Sequence, residues 1–351
     1  MSERIDIQLL EQSGEAAWDA FVSRSADATF FHRAGWRRVI QQAYGHRSHY
    51  LMAQRGGEVV GVLPLIHVKS RLFGDGLIST AFFAYGGIAA DDAEVAQELA
   101  GRASRLGADL GVGHVELRHR RPRPELGGEG LGWTDKADLY ATFRRPLLPD
   151  AAANLKAIPR KKRADVRKGL EGALRVDSAA DVAVFHRIYA HSVHALGTPV
   201  FPRRFFTQLQ QEFGPAVEIS AVHGPDGPVS ALISFFFRNE VLPYYGGALP
   251  AARGLHAYDH MYWMLMCRAA ERGCTLFDFG RSKRGTGAFD YKTYWGFEPE
   301  ALHYQYHLVR RHDLPNINPL NPKYRLMVES WKRLPLSLAN ALGPHIARQL
   351  G

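Results

Sequence analysis

One order of secondary-structure signals occurs twice along these 351 residues, and that repetition bounds the fold more tightly than any single motif. In the first half a weakly alternating stretch, residues 5–10, reads as a strand, and residues 15–24 and 33–44 read as helices. Strand patterns follow at 50–53, 59–68 and 77–83, broken by Gly56-Gly57 and by Phe73-Gly74-Asp75-Gly76. The last runs into Tyr85-Gly86-Gly87, then a helix at 92–110 and a strand at 114–117. The second half gives helices at 180–193 and 203–212, then strands at 217–222, 229–236 and 241–245. Tyr245-Gly246-Gly247, a long helix at 257–272 and a strand at 276–279 complete it. The two tripeptides lie 160 residues apart. From Gly86 to Glu116 is 30 residues and from Gly246 to Asp278 is 32; from Trp36 to Gly56 is 20 and from Phe205 to Gly224 is 19. Four landmarks at matched spacing describe two copies of one α/β unit, each a mixed, mostly antiparallel sheet flanked by helices. The expected division is 1–148, 149–312 and a helical tail at 313–351.

Past its matched elements the second copy enters the densest chemistry of the chain, residues 275–307. A glycine- and cation-rich turn leads to a short helix at 289–295 and a strand at 302–309. Arg281, Ser282, Lys283, Arg284 and Lys292 crowd this segment, with Asp278, Asp290, Tyr291, Tyr294 and Trp295 nearby. Cations at a strand's C-terminal end suit an anionic or developing-anionic group. A solvated turn over an aromatic plug would have the same composition. His191 and His194 stand three apart on a predicted helix with no third ligand in the pattern, and Cys267 and Cys274 match no zinc spacing. No metal site is expected.

The net charge of +9 suits a polyanionic partner: tRNA, a nucleotide-linked sugar or an anionic membrane surface. Between the copies, Pro159-Arg160-Lys161-Lys162-Arg163 and Arg167-Lys168 lie in a stretch that is helical apart from the proline. A basic helix suits a phosphate backbone, and a solvated linker face would look the same. The tail opens with Asn318-Pro319-Leu320-Asn321-Pro322 and continues as an amphipathic helix. Its apolar side carries Tyr324, Met327, Val328 and Trp331, and its basic side Lys323, Arg325, Lys332 and Arg333; Leu338, Leu342 and Ile346 follow. Such a tail fits an anionic membrane or its own domain. The opening residues lack the n- and h-regions of a signal peptide, and no apolar stretch is long enough to span a bilayer. A cytoplasmic protein, at most peripheral to the inner membrane, is the expectation.

The element order resembles the GNAT acyltransferase fold, whose acyl donor rests its pyrophosphate on backbone amides where the fourth strand meets the long helix. In the second copy that junction is residues 246–255, which retain only Arg253-Gly254 of the glycine-rich acyl-CoA signature. In the first copy it holds Asp91-Asp92, which would repel a phosphate. The first copy therefore reads as a scaffold or acceptor-binding half and the second as the active half. Tandem GNAT units with a degraded CoA loop resemble the FemAB family, aminoacyltransferases that use aminoacyl-tRNA to build peptidoglycan side bridges. The likeness is closest to the subgroup encoded with exosortase/PEP-CTERM (XrtA) and exopolysaccharide systems. It rests on Phe31-His32-Arg33-Ala34-Gly35-Trp36, residues 196–202, Leu242-Pro243-Tyr244-Tyr245-Gly246-Gly247, Phe277-Asp278-Phe279-Gly280-Arg281-Ser282 and, most specifically, residues 287–297 around Tyr291-Lys292. The long coiled-coil arm that some members use beside tRNA is not present.

The resemblance implies that Lys292 meets a substrate phosphate or the developing oxyanion and that Tyr291 stacks on the donor. N-acyl transfer passes through a tetrahedral oxyanion, where a preorganised cation is worth roughly 3–4 kcal/mol. The attacking amine must lose a proton, for which Asp278, Asp259 and His256 are candidates, Asp278 also suiting an anchor for Arg281 or Lys292. Arg281, Ser282, Lys283, Arg284, Arg253 and Gly254 are candidate binding residues, with Tyr245 and Tyr258 fitting either an acceptor cleft or the core. No bound cofactor is expected; aminoacyl-tRNA or acyl-CoA would be a co-substrate, and the acceptor a glycan or nucleotide-linked cell-envelope precursor. An acyl-CoA-dependent N-acetyltransferase of exopolysaccharide synthesis and a non-catalytic glycan- or RNA-binding assembly factor are the alternatives.

Overall fold

From the N-terminus the chain forms β1 (Ile5–Leu9), α1 (Glu15–Arg24), α2 (Trp36–Tyr44), β2 (Arg47–Arg55), β3 (Glu58–Ser70) and β4 (Gly74–Ser79). The short β5 (Ala89–Ala90), α3 (Ala93–Leu110), β6 (His114–His119), β7 (Trp133–Lys136) and β8 (Tyr140–Pro146) follow. The second half runs α4 (Ala151–Ala157), α5 (Arg160–Glu171), β9 (Arg175–Asp177), α6 (Val182–Ala195), α7 (Arg203–Phe213), β10 (Val217–Gly224), β11 (Gly227–Phe237) and β12 (Glu240–Ala248). Then come α8 (Ala251–Gly254), α9 (Ala257–Glu271), β13 (Leu276–Asp278), β14 (Ser282–Lys283), α10 (Gly287–Tyr294), β15 (Pro299–Ala301), β16 (His303–Leu308), α11 (Pro322–Lys332) and α12 (Leu336–Ala347). This computed structural model describes residues 4–70, 74–127, 132–136, 139–315 and 322–350, the first four of α11 by backbone only. Residues 1–3 of the N-terminus, Phe73 of the expected turn, Asn318-Pro319-Leu320-Asn321 and the side chains of Lys323, Tyr324 and Arg325 lie outside the described residues.

The two units are tandem GNAT-like folds, as the repeat implies. The first sheet has the order β1-β2-β3-β4-β6-β16-β7, antiparallel except where β4 runs parallel to β6. The second has the order β14-β8-β13-β12-β11-β10-β9, with β12 parallel to β13. That parallel pair joins only Glu240 to Leu276 and Val241 to Phe277; beyond it β12 continues to Ala248 while β13 ends at Asp278. The far end of β12 therefore runs on without this neighbour. Asp92 caps α3 through the Val95 N–H at 2.9 Å and pairs with Arg55, while Asp91 pairs with Arg24, so the first unit's junction is filled by its own charges.

The units do not follow the expected division at 148 and 312. The first comprises residues 1–140, 301–317 and 348–351, the second residues 141–300 and 318–347. β16, expected to finish the second copy, lies between β6 and β7 in the first sheet, with Tyr304 and Tyr306 buried there. β8, expected in the first domain, pairs with β13 and sends Ala141 and Phe143 into the second core beside Phe277 and Phe279. Each half thus donates a strand whose apolar face fits the other half's sheet. The tail belongs mainly to the second unit. It packs on α6 with Trp331 and Ala339 buried, leaving Leu326, Met327, Leu338 and Leu342 exposed.

Candidate active site

In the second unit α5 lies against α9, and Gly169 makes the approach possible: a Cβ there would stand 2.9 Å from His260 Cβ and 3.2 Å from the His256 carbonyl. The close packing brings Lys162 to the first turn of α9. Its ammonium donates to both oxygens of Asp259, at 3.0 and 3.2 Å, and stands 3.4 Å from Asp165. From α10, the Tyr291 hydroxyl donates to the same Asp259 at 2.8 Å. The Lys162 ammonium also lies 5.1 Å from the centre of the Tyr291 ring. Asp165 in turn is 3.6 Å from His256 Nδ1. His256 caps α9 with a left-handed backbone, φ +50°, a conformation that a bulky residue holds only where its surroundings impose it.

Asp165, His256, Asp259 and Tyr291 form the polar wall of a cavity of about 720 Å³, with Lys162 bonded to Asp259 behind it. Ala248, Leu249, Pro250 and Ala252 form its apolar side at the end of β12, and His191, Ser192 and Ala195 of α6 with Leu196 just after it close another. Tyr258 and Tyr291 line it, their rings 5.5 Å apart, with Tyr262 donating to the Tyr258 hydroxyl at 3.2 Å behind them. Burial, reinforced by the Asp259 charge, pushes the Tyr291 and Tyr262 phenols well above their ordinary range, so both stay protonated donors.

Lys292 faces elsewhere. Its ammonium donates to the carbonyls of Gly280 at 2.9 Å and Arg281 at 3.1 Å, beneath the turn after β13, with the rings of Phe143 and Phe279 at 5.4 and 6.0 Å. Burial pulls its pKa down to about 7, opposed by the charge of Asp278 and helped by that of Arg281. The proton acceptor expected at Asp278 is a carboxylate with no exposed surface, bonded to Arg144 Nε at 3.0 Å, Thr142 Oγ1 at 3.3 Å and the Gly280 N–H at 2.7 Å. The left-handed φ of +68° at Gly280 lets the chain fold back to make the last bond. Asp278 therefore anchors β8 and the turn, with Arg144 as an ion-pair partner.

Of the sequence candidates, Tyr258, Tyr291, Asp259, His256 and Arg253 meet at the cavity, Arg253 on its exposed rim. Gly254 is exposed beside open space. Arg281, Ser282, Lys283 and Arg284 stay on the turn: Ser282 is buried, and Arg284 lies 5.7 Å from the Phe289 ring. Tyr245 is not at the cavity; it sits in a ring cluster with Tyr189, Phe201, Phe205 and Phe206, a core position. His191 reaches the cavity without a metal-ligand set, and among the described residues no group of His, Cys, Asp or Glu is arranged to hold a metal ion. Lys162 and Asp165 are the contributors that sequence reasoning left in a basic linker. The available signal was a glycine, Gly169, on the same helix.

Residues 155–293 match the family described as an acetyltransferase (GNAT) domain. No curated protein matches the chain. Among solved structures, FemX shares 15% identity at a TM-score of 0.71, covering 92% of this chain and 100% of its own. The C-terminal domain of a putative lysylphosphatidylglycerol synthetase from Agrobacterium fabrum shares 9% at 0.58, covering 91% and 95%. A tandem GNAT protein from the clavulanic acid biosynthesis pathway shares 12% at 0.58, covering 88% and 100%. At these identities the likeness establishes the fold.

Proposed function

We propose that the chain is a FemAB-like N-acyltransferase, most specifically an aminoacyltransferase, whose second unit transfers an activated acyl group to an amine of a cell-envelope glycan precursor. The observation that carries this reading is the Lys162–Asp259–Tyr291 constellation on the wall of the β12–α9 cavity. Asp259 occupies the first helical turn where an acyl-CoA pyrophosphate would rest in a GNAT unit, and Asp165 lines the same cavity. Carboxylates and tyrosine faces repel a pyrophosphate and attract an ammonium, such as the free α-amino group of an aminoacyl donor or the acceptor amine itself. The likeness to FemX over 92% of the chain supports the tandem fold that this reading needs.

In this mechanism the acceptor amine attacks the acyl carbon, forming an N–C bond and breaking the bond to the donor oxygen. The amine proton passes to His256 on the wall of the same cavity and from its imidazolium to the leaving oxygen, while the Tyr291 hydroxyl stays bonded to Asp259. Lys162 bonds both oxygens of Asp259, which in turn holds the Tyr291 hydroxyl in place. The Lys292 ammonium, held by the turn carbonyls away from the cavity, braces the turn and takes no part in this step. Arg281, Lys283, Arg284 and Arg253 are assigned to the donor's phosphates. A peptidoglycan or exopolysaccharide precursor, an exosortase/PEP-CTERM setting, and contact of the exposed tail leucines with the cytoplasmic face of the inner membrane extend the proposal. Among the described residues no helix is long and apolar enough to cross a membrane.

The test is binding and single-turnover transfer with charged tRNA, uncharged tRNA and acetyl-CoA at two salt concentrations. Preference for charged tRNA, with transfer to an amine, is the expected result. Saturable acetyl-CoA binding would replace this reading with the CoA-dependent N-acetyltransferase, and no binding of any donor would leave a glycan- or RNA-binding assembly factor. Tyr291→Phe removes the hydroxyl that Asp259 holds at the cavity wall and is expected to lower the transfer rate about tenfold, the scale of one lost hydrogen bond. An unchanged rate would remove Tyr291 from the mechanism.

A further inference from the structure

The first unit carries a second concave site, of about 360 Å³, between the end of α2, the start of β2 and the end of β3. Arg47, Lys69 and Arg348 stand at its rim, and His46, His49 and His67 line it. Among the described residues, no carboxylate lies within ion-pairing distance of the three rim cations. His67 Nε2 is engaged by Asp75 at 2.6 Å, and His46 Nε2 donates to the Arg348 carbonyl at 2.8 Å, which fixes the chain end that brings the Arg348 guanidinium to the rim. His49 Nε2 is buried with no hydrogen-bond partner among the described residues. Burial, and after it the charges of His67 and Arg47, hold the His49 imidazole below its ordinary pKa.

We infer that this concavity binds a phosphoryl or diphosphoryl group, with Arg47, Lys69 and Arg348 supplying charge and His49 a hydrogen bond from the floor. The alternative is that the cations serve the carbonyl ends of α2 and α3, which close near Gly45 and Leu110. Such an end carries about half a negative charge, so two of them cannot match three full cations. The volume suits a small polyanion rather than a nucleic-acid duplex, and the floor donor is wasted on a purely electrostatic cap. The phosphoryl group belongs either to a soluble phosphorylated molecule or to a lipid headgroup.

The test uses the full chain. Inorganic pyrophosphate is titrated calorimetrically, and vesicles of phosphatidylcholine with phosphatidic acid are pelleted with the protein. Wild type is compared with the exposed pair Lys69→Ala/Arg348→Ala and with His49→Gln, each checked for an unchanged melting curve. We expect wild type to bind and the double variant to weaken binding about 100-fold, two lost charge-assisted contacts at about tenfold each; His49→Gln should weaken it by about tenfold. Loss confined to pyrophosphate assigns a soluble ligand, and loss confined to vesicles assigns a lipid headgroup. Absence of binding to both probes, or binding that the double variant leaves intact, overturns the inference. None of these residues belongs to the proposed transfer site, so acyl transfer by the variants should match wild type whichever way the titration falls.

Discussion

Lys292 shows how one buried charge links stability to pH. Its pKa of about 7 in the fold lies below the 10.5 expected of an unfolded lysine. Below about pH 7 both states hold the proton, and the cost of burying the charge is fully present. Between about pH 7 and 10.5 the unfolded state binds more protons, so unfolding free energy rises with pH across that window. Lys292→Met removes the titration. It also leaves the Gly280 and Arg281 carbonyls without this donor, a loss that does not depend on pH. Denaturant titrations near pH 7 and near pH 10 should show wild type gaining stability and the variant gaining clearly less. Equal gains would mean that the ammonium is not desolvated as the geometry implies.

The packing of α5 on α9 governs the proposed site through a residue that touches no substrate. Gly169→Ala places a methyl group within 2.9 Å of His260 Cβ, and two rigid helices relieve that only by moving apart. The expected cost is about 1–3 kcal/mol of stability. If the helices separate, Lys162 also withdraws from Asp259, and the transfer rate should fall with little change in donor affinity. A variant that melts lower but transfers at the wild-type rate would show that the Lys162 bridge is dispensable. This helix also marks how far the sequence could be read. The repeat, the long helix after each Tyr-Gly-Gly and the break at Pro159 follow from local pattern. The run Arg160-Lys161-Lys162-Arg163 does not reveal which cation turns inward, because that depends on a partner 97 residues away, Asp259. Tyr291 was legible beside Lys292, yet the two diverge, one to the cavity and one under the turn. Asp278 was legible as acidic; its partner Arg144 lies 134 residues earlier, on a strand that pattern alone assigned to the other domain.

That strand and its counterpart make each unit depend on both halves of the sequence. In the first sheet β16 runs from His303 opposite His119 to Leu308 opposite His114, and its other edge holds β7 from Trp133 to Lys136. A fragment ending at 148 would lack β16, leave the hydrogen-bonding edge of β6 open and release β7. A fragment beginning at 149 would lack β8, the partner of β13, β14 and β15, and with it Phe143 of the second core and the Arg144 bridge to Asp278. Removing Arg144 while the buried carboxylate stays is itself expected to cost about 3–5 kcal/mol, a large share of a domain's stability. Cutting the chain between the apparent repeats should therefore give two fragments that each lack a cooperative thermal transition. Mixing them should restore one, because the missing strands are then supplied in trans. The decisive measurement is a melting curve of residues 1–148 alone: a sharp transition like that of the full chain would mean that β16 is an accessory to the first sheet and that the repeats fold as independent domains.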